Sequence, residues 1–191
     1  MPSFCKIMKI YTIHTGLANN YLVNTDGGKV LLIDCSCSLK DLLKLTNKLD
    51  AIVITHGHFD HIATLEAVQS HFDCPVFMHP KAVGKLANAK LNASRFFGCV
   101  VEVNLTSECV HILKEGQQLL AGEQVIVHWA PGHTDCSIML QIAGAMFTGD
   151  FVFEGSYGRT DLPTGNFKTM QTSLSKWRPL LKNYALYYGH W

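Results

Sequence analysis

What this 191-residue chain lacks narrows it first. No apolar run approaches the ~20 residues with which a helix crosses a bilayer. The first residues, Met1-Pro2-Ser3-Phe4-Cys5-Lys6, have neither the basic start nor the continuous apolar core of a signal peptide. There is no excess of one charge: the formal net charge is +1, with Lys and Arg scattered, so neither nucleic acid nor an acidic membrane surface is an expected partner. The seven cysteines are odd in number and form no disulfide-scaffold spacing. That fits a reduced, cytoplasmic protein with buried free thiols. Cys35-Ser36-Cys37 could meet a soft metal, but two thiolates do not complete a structural site, which normally takes four ligands. No linker, low-complexity tract or repeat divides the sequence, so a single domain over 1–191 is expected. At 48% hydrophobic and 16% charged residues the chain can bury a sizeable core, which excludes a disordered polymer.

The patterning favours strands in both halves. Ile7–Ile13, Asn20–Asn24 and Lys29–Asp34 alternate or run apolar, the last two joined by the turn Asp26-Gly27-Gly28. Ser38 reads as a helix N-cap, with Leu39, Leu42, Leu43 and Leu49 on one helical stripe. Ala51-Ile52-Val53-Ile54 is wholly apolar, as a strand buried on both faces would be. Ile62, Leu65, Val68 and Phe72 then repeat at helical spacing, with Asp60 near the helix start. Further strands are expected at Pro75–Met78, Val100–Leu105, Val110–Leu113, Gln124–Trp129, Ser137–Ile142, Ala145–Thr148 and Ala185–Tyr188. Helices are expected over Lys81–Lys90 and about Phe167–Leu181, and Leu91–Phe97 reads as a loop over the site. Strand-rich halves, each followed by helices, favour two packed sheets with helices outside.

Ten histidines is a high count for this length, and they are bunched. His56-Gly57-His58-Phe59-Asp60-His61 supplies three imidazoles and a carboxylate within six residues. His56 and His58 lie two apart at a strand end, so an extended backbone points them to one side. Asp60 and His61 follow where the chain turns into a helix and can face the other side of a small cavity. His133, Asp150 and His190 each neighbour a glycine, and the last two follow apolar strands. Gly permits the tight turns that aim a side chain at a metal. His14, His71, His79, His111 and His128 stand alone and read as surface or satisfied core residues.

The ordered set His56-x-His58-x-Asp60-His61, His133, Asp150, His190 resembles the metallo-β-lactamase fold superfamily. Phe147-Thr148-Gly149-Asp150 followed by Gly158-Arg159-Thr160-Asp161-Leu162-Pro163 resembles, more narrowly, its glyoxalase II-like branch of small thioester hydrolases. The similarity runs from Asn20-Tyr21-Leu22-Val23 through Ile33-Asp34 to Gly189-His190. It implies an α/β (α+β) fold, a four-layer αββα sandwich of two mixed sheets flanked by helices, with metals at one edge. By motif position His56, His58 and His133 would hold one ion, Asp60, His61 and His190 a second, and Asp150 would bridge them. Such nitrogen and oxygen ligands suit Zn²⁺ first, with Fe or Mn²⁺ as alternatives.

The resemblance implies a metal-bridging hydroxide attacking a carbonyl, with Asp60 orienting it, because a metal lowers the pKa of bound water from ~15.7 towards ~7. A thiolate leaving group, conjugate-acid pKa ~8.5, departs with little help, so the expected partner is a small-molecule thioester. Asp34 is expected to anchor a ligand from behind rather than bind metal. Arg159 and Asp161 read first as a structural ion pair beneath the site and second as a contact for an anionic substrate. Phe59 and Tyr157 are candidate pocket walls or ordinary packing. No C-terminal glutathione-binding helical domain is expected after Trp191, which turns the expectation away from S-lactoylglutathione. Cys35-Ser36-Cys37 stands where relatives have a proline or glycine turn. Two alternatives remain: a persulfide dioxygenase-like oxygenase with one iron on His56, His133 and Asp150, and a non-catalytic metal-binding scaffold.

Overall fold

The all-apolar segment Ala51–Ile54 shows how the architecture is built. In the computed structural model, which describes residues 8–190, it forms strand β4 at the interior of a six-stranded sheet. Its side chains alternate between two separate cores: Ile52 and Ile54 face one, Ala51 and Val53 the other. A strand covered on both faces has no polar side to show, which is why its sequence does not alternate.

That first sheet has the order β1 (Lys9–His14), β2 (Asn19–Asn24), β3 (Val30–Ile33), β4, β5 (Val76–Met78), β6 (Val110–Ile112). The pairs β1–β2 and β2–β3 are antiparallel, and β3 to β6 run parallel. The second sheet has the order β13 (Ala185–Tyr188), β10 (Ala145–Gly149), β9 (Ile138–Ile142), β8 (Glu123–Trp129), β7 (Gly116–Leu120), with only β13 parallel to its neighbour. A small hairpin, β11 (Val152–Phe153) and β12 (Ser156–Tyr157), follows β10.

Three buried clusters give the layers. Tyr21, Val23, Leu31 and Ile33 of one sheet meet Val125, Val127, Leu140 and Phe147 of the other between the sheets. On the outer face of the first sheet, Leu22, Leu32, Ile52 and Val76 pack with α1 (Leu39–Leu42), α2 (Phe59–Ile62), α3 (Leu65–Phe72) and α4 (Pro80–Leu86). On the outer face of the second, Met139 and Met146 pack with Met170, Leu174 and Leu181 of α5 (Phe167–Leu181). This is the αββα sandwich of two mixed sheets. No helix among the described residues is long and apolar enough to cross a membrane.

Several expected elements come out differently. The helix begun at Ser38, which caps Asp41 N–H, ends at Leu42, and Leu43 is exposed. Thr46 both accepts from Lys48 N–H and donates to its carbonyl, a local pairing that competes with further helix. The helix expected over Ile62–Phe72 is split into α2 and α3, and α4 stops at Leu86 rather than Lys90. Val100–Leu105 forms no strand. Its backbone bonds go elsewhere: Val101 N–H to Ser94 Oγ, Val101 C=O from Asn92 Nδ2, Val103 N–H to Leu86 C=O, Asn104 N–H to Glu66. The alternation was real, since Val103 is buried, but the ladder was absent. The start of the first expected strand, Ile7, lies outside the described residues, as do Cys5 and Trp191.

Candidate metal centre

The six-residue cluster begins where β4 ends. The chain bends at Thr55, and His58, in extended conformation (φ −74°, ψ 149°), occupies the N-cap position of α2. Asp60 falls in that helix's first turn, where a carboxylate faces the positive end of the peptide dipoles. His133 sits in the turn after β8, Asp150 directly after β10, and His190 two residues after β13. All seven residues therefore come from one edge of the two sheets, where loops leave a rigid scaffold.

Two glycines let the backbones approach. Gly149 has φ +49°, and a Cβ there would stand 2.5 Å from Thr55 Oγ1. A Cβ on Gly189 would run into Asp150 Oδ1 and crowd His61 Cε1. Gly189 also donates its N–H to the Gly149 carbonyl, tying the strand end that carries His190 to the one that carries Asp150.

The donors gather in two groups, His56–His58–His133 and Asp60–His61–His190, linked by a third, His56–His61–Asp150, with ligand atoms in each within 4.8 Å of one another. In the first, His58 Nδ1 lies 2.8 Å from His133 Nε2. In the second, His190 Nε2 lies 3.3 Å from Asp60 Oδ2 and 3.4 Å from His61 Nε2. Asp150 stands between them: Oδ2 is 3.5 Å from His133 Nε2 and 3.3 Å from His190 Nε2, and Oδ1 is 3.2 Å from His61 Nε2.

Behind this array, other groups fix the imidazoles. Asp34 Oδ2 accepts from His61 Nδ1 at 2.7 Å, while its oxygens also accept from the N–H and Oγ1 of Thr55. Asp34 is buried and holds the left-handed φ of 58°. Thr55 Oγ1 lies 3.2 Å from His56 Nδ1, and the Arg159 carbonyl accepts from His133 Nδ1 at 2.7 Å. Each of these contacts occupies the rear nitrogen and turns the other toward the cluster.

The interior is electrostatically split. Burial, reinforced by the neighbouring His61, holds His56 well below the usual imidazole range. Burial and the adjacent His133 push His58 down to about 3, and burial also lowers His133. For His61 burial opposes charge, but Asp34, Asp150 and Asp60 outweigh it and raise the group well above its ordinary value. Asp150 and Asp60 raise His190 in the same manner, to about 9, against its own burial. Burial would raise both carboxylates; the surrounding histidines instead keep Asp60 low and Asp150 far below the usual range.

Among the described residues, three buried side-chain polar atoms find no hydrogen-bond partner: His56 Nε2, His58 Nε2 and Asp150 Oδ1. Orphaned buried groups of this sort are rare and costly, and all three sit in this one cluster. Buried imidazole nitrogens and a carboxylate oxygen facing one another suit a divalent cation, which would supply the missing partners. Above the cluster opens a cleft of about 480 Å³, lined by His58, Asp60, His133, Asp150 and His190 and by Leu17, Phe59, Ala93, Phe97, Phe153, Arg159 and Leu162 among others.

The superfamily model for the metallo-beta-lactamase superfamily matches residues 15–190. The chain belongs to that superfamily. Membership places it among metal-dependent hydrolases whose centres bind divalent ions. It is 31% identical over 198 residues to a probable metallo-hydrolase of Streptococcus pyogenes serotype M6, covering 96% of this chain and 84% of that one. It is 37% identical over 128 residues to the probable metallo-hydrolase YqgX of Bacillus subtilis, a match over 65% of this chain and 59% of the relative. Among solved structures, TTHA1623 in a di-iron-bound form is 30% identical, with a TM-score of 0.82 over 96% of this chain and 92% of that one. BLEG-1, a B3 metallo-beta-lactamase, is 26% identical, with a TM-score of 0.83 over 97% and 92%.

His56, His58, Asp60, His61, His133, Asp150 and His190 are brought together. Asp34 stands behind His61, and Phe59 lines the cleft. Arg159 and Asp161 do pair, in a bidentate bridge at 2.7 Å, but at the exposed rim rather than beneath the site. A largely exposed pair there costs little desolvation, whereas a buried one would cost much more. Tyr157 lies away from the cleft, in a surface groove with Phe167 and Leu174. Leu91–Phe97 does border the site, as a 3-10 turn over Ser94–Phe97. Sequence reasoning missed Leu17, Phe97, Phe153 and Leu162 as cleft walls, since isolated apolar residues in loops carry no periodic signal. The solitary histidines stay outside the cluster: His79 caps α4, His111 stacks on Phe77, and His128 meets Gln141. Cys35 and Cys37 are buried free thiols in the helix-side core.

Proposed function

We propose that this chain is a binuclear metal-dependent hydrolase of thioesters, of glyoxalase II-like type. The observation that carries the reading is the convergence of seven donors around three orphaned buried atoms, open to a cleft on one side. His56, His58 and His133 would hold one ion and Asp60, His61 and His190 the other, with Asp150 shared. Its distances to His133, His61 and His190 support that role. Zinc is the proposed metal, with iron or manganese as alternatives; the di-iron form of TTHA1623 speaks for iron in a relative. Divalent ions, when bound, supply Lewis acidity and lower the pKa of water to near neutrality, so no serine or cysteine nucleophile is needed.

The chain's own residues do the rest. Asp60 lines the cleft as a carboxylate kept ionised by His61 and His190, and can accept a hydrogen bond that orients the attacking water. Asp34, Thr55 and the Arg159 carbonyl hold the imidazoles still. In the net reaction water adds its oxygen to the acyl carbon, the C–S bond breaks, and the sulfur leaves as a thiolate that takes up a proton in solution. A leaving thiol of pKa ~8.5 asks for no strong general acid. The open cleft speaks against a purely structural metal site, which leaves no free coordination position.

The test is hydrolysis of simple thioesters by wild type and Asp60→Asn. Wild type should turn them over; the variant should fold normally and lose about 10²–10⁴-fold in kcat. Equal activity in the two proteins would sink the assignment of Asp60.

A further inference from the structure

Large apolar side chains rarely stand open to water around a polar centre without a reason. Here they border the cleft at two places. Phe59 and Phe97 meet with ring centroids 5.3 Å apart beside the His58 loop, with Ala93 next to them, and Phe97 is 55% exposed. Phe153 stands 6.1 Å from the His190 ring, and Leu17 is 43% exposed nearby, two residues before Asn19, whose N–H donates to the Gly189 carbonyl. Leu162 also lines the cleft. Among the described residues lining the cleft, Arg159 is the one cationic side chain outside the histidine cluster. Both of its bonded nitrogens, Nε and Nη2, are already engaged by Asp161 at 2.7 Å. Among the described residues no lysine lines the cleft, and Asp161, paired with Arg159 at the exposed rim, adds negative charge there.

From this lining we infer that the cleft selects thioesters with neutral, apolar limbs and disfavours carriers that bear several negative charges. The inference rests on the thioester reading above and names the substrate class within it. Apolar limbs on either side of the scissile carbonyl would cover Phe97 on one flank and Leu17 on the other. Burying that surface supplies binding that a charged carrier, met at the rim only by an Arg159 already paired with Asp161, does not gain.

The experiment measures kcat/KM for acetyl, butanoyl and hexanoyl thioesters of N-acetylcysteamine, and for the same acyl groups on glutathione and coenzyme A. We expect kcat/KM on the neutral carrier to rise about three- to fourfold per added methylene that enters the cleft. The neutral carrier should also outpace both charged ones at each chain length. Calorimetry with a non-hydrolysable S-hexyl thioether of N-acetylcysteamine gives a second readout independent of turnover. Phe97→Ala, at an exposed position that cannot cost the fold much, should weaken that binding about fivefold and flatten the chain-length series. Faster turnover of glutathione or coenzyme A thioesters, or no gain with chain length, would overturn the inference. Undiminished thioether binding by Phe97→Ala would refute the apolar wall itself. Failure to hydrolyse any thioester would instead refute the function on which the proposal rests.

Discussion

Replacing Asp34 with Asn isolates the contribution of a single buried charge behind the metal centre. The residue has φ 58°, a left-handed conformation that Asn tolerates well, so the backbone is not disturbed. Its carboxylate accepts from three donors: His61 Nδ1 at 2.7 Å, Thr55 N at 2.8 Å, and Thr55 Oγ1 at 3.0 Å and 2.8 Å to its two oxygens. An amide has one acceptor oxygen and one NH₂, so at least one of those donors must face another donor. If the oxygen stays with Thr55, the NH₂ points at His61 Nδ1 and forces the ring's proton onto Nε2, the atom that faces Asp60, Asp150 and His190. If it turns to His61, the Thr55 N–H is stranded instead. A lost charge-assisted bond and one orphaned buried donor together should cost about 2–3 kcal/mol of folding stability, read by urea denaturation of the metal-free protein. Metal affinity, read by competition with a chromophoric chelator, should fall about 10–100-fold. Stability within ~0.5 kcal/mol of wild type, with affinity within twofold, would refute the reasoning, since that is the range of an ordinary surface substitution.

Gly189→Ala should act on one half of the centre. Its Cβ would collide with Asp150 Oδ1 and crowd His61, so the strand end carrying His190 must move. We expect the variant to fold with a reduced metal content, one ion rather than two, measured by elemental analysis; full occupancy would contradict the packing argument. Metal uptake should also release protons at pH 7. His61, raised well above its ordinary value, and His190, at about 9, are both protonated there in the metal-free protein, and a ligating imidazole must be neutral. About two protons should therefore leave, one from each ring, and apparent affinity should climb as pH rises from 6 towards 9. Calorimetry in buffers of different ionisation heat measures the release, and a buffer-independent enthalpy would exclude it.

The sheets and the donor set could be read from sequence for a shared reason. β4 and the strands beside it carry their burial in their composition, and the seven donors sit at fixed offsets from strand ends. Other features depend on tertiary context. The β7–β8 hairpin turns at Ala121-Gly122, where Ala121 takes φ 51°, a conformation that its residue type does not advertise as Asn would. β7 itself reads Gly-Gln-Gln-Leu-Leu, an edge strand with a largely polar start and no clean alternation. Val100–Leu105 alternated correctly and still formed no ladder, because Ser94, Asn92 and Glu66 claimed its backbone groups. The cleft walls were hidden for a simpler reason. Leu17, Phe97, Phe153 and Leu162 lie in four separate loops or short elements, and only folding brings them to one opening.

On the proposed function these seven side chains hold two ions for hydrolysis. The most direct measurement is the metal content of wild-type protein purified without added metal, read beside its hydrolysis of a thioester. Two divalent ions per chain are expected, with activity lost on chelation and restored when two equivalents are returned. A single iron per chain, with sulfite formed from a persulfide and no thioester cleaved, would contradict that function.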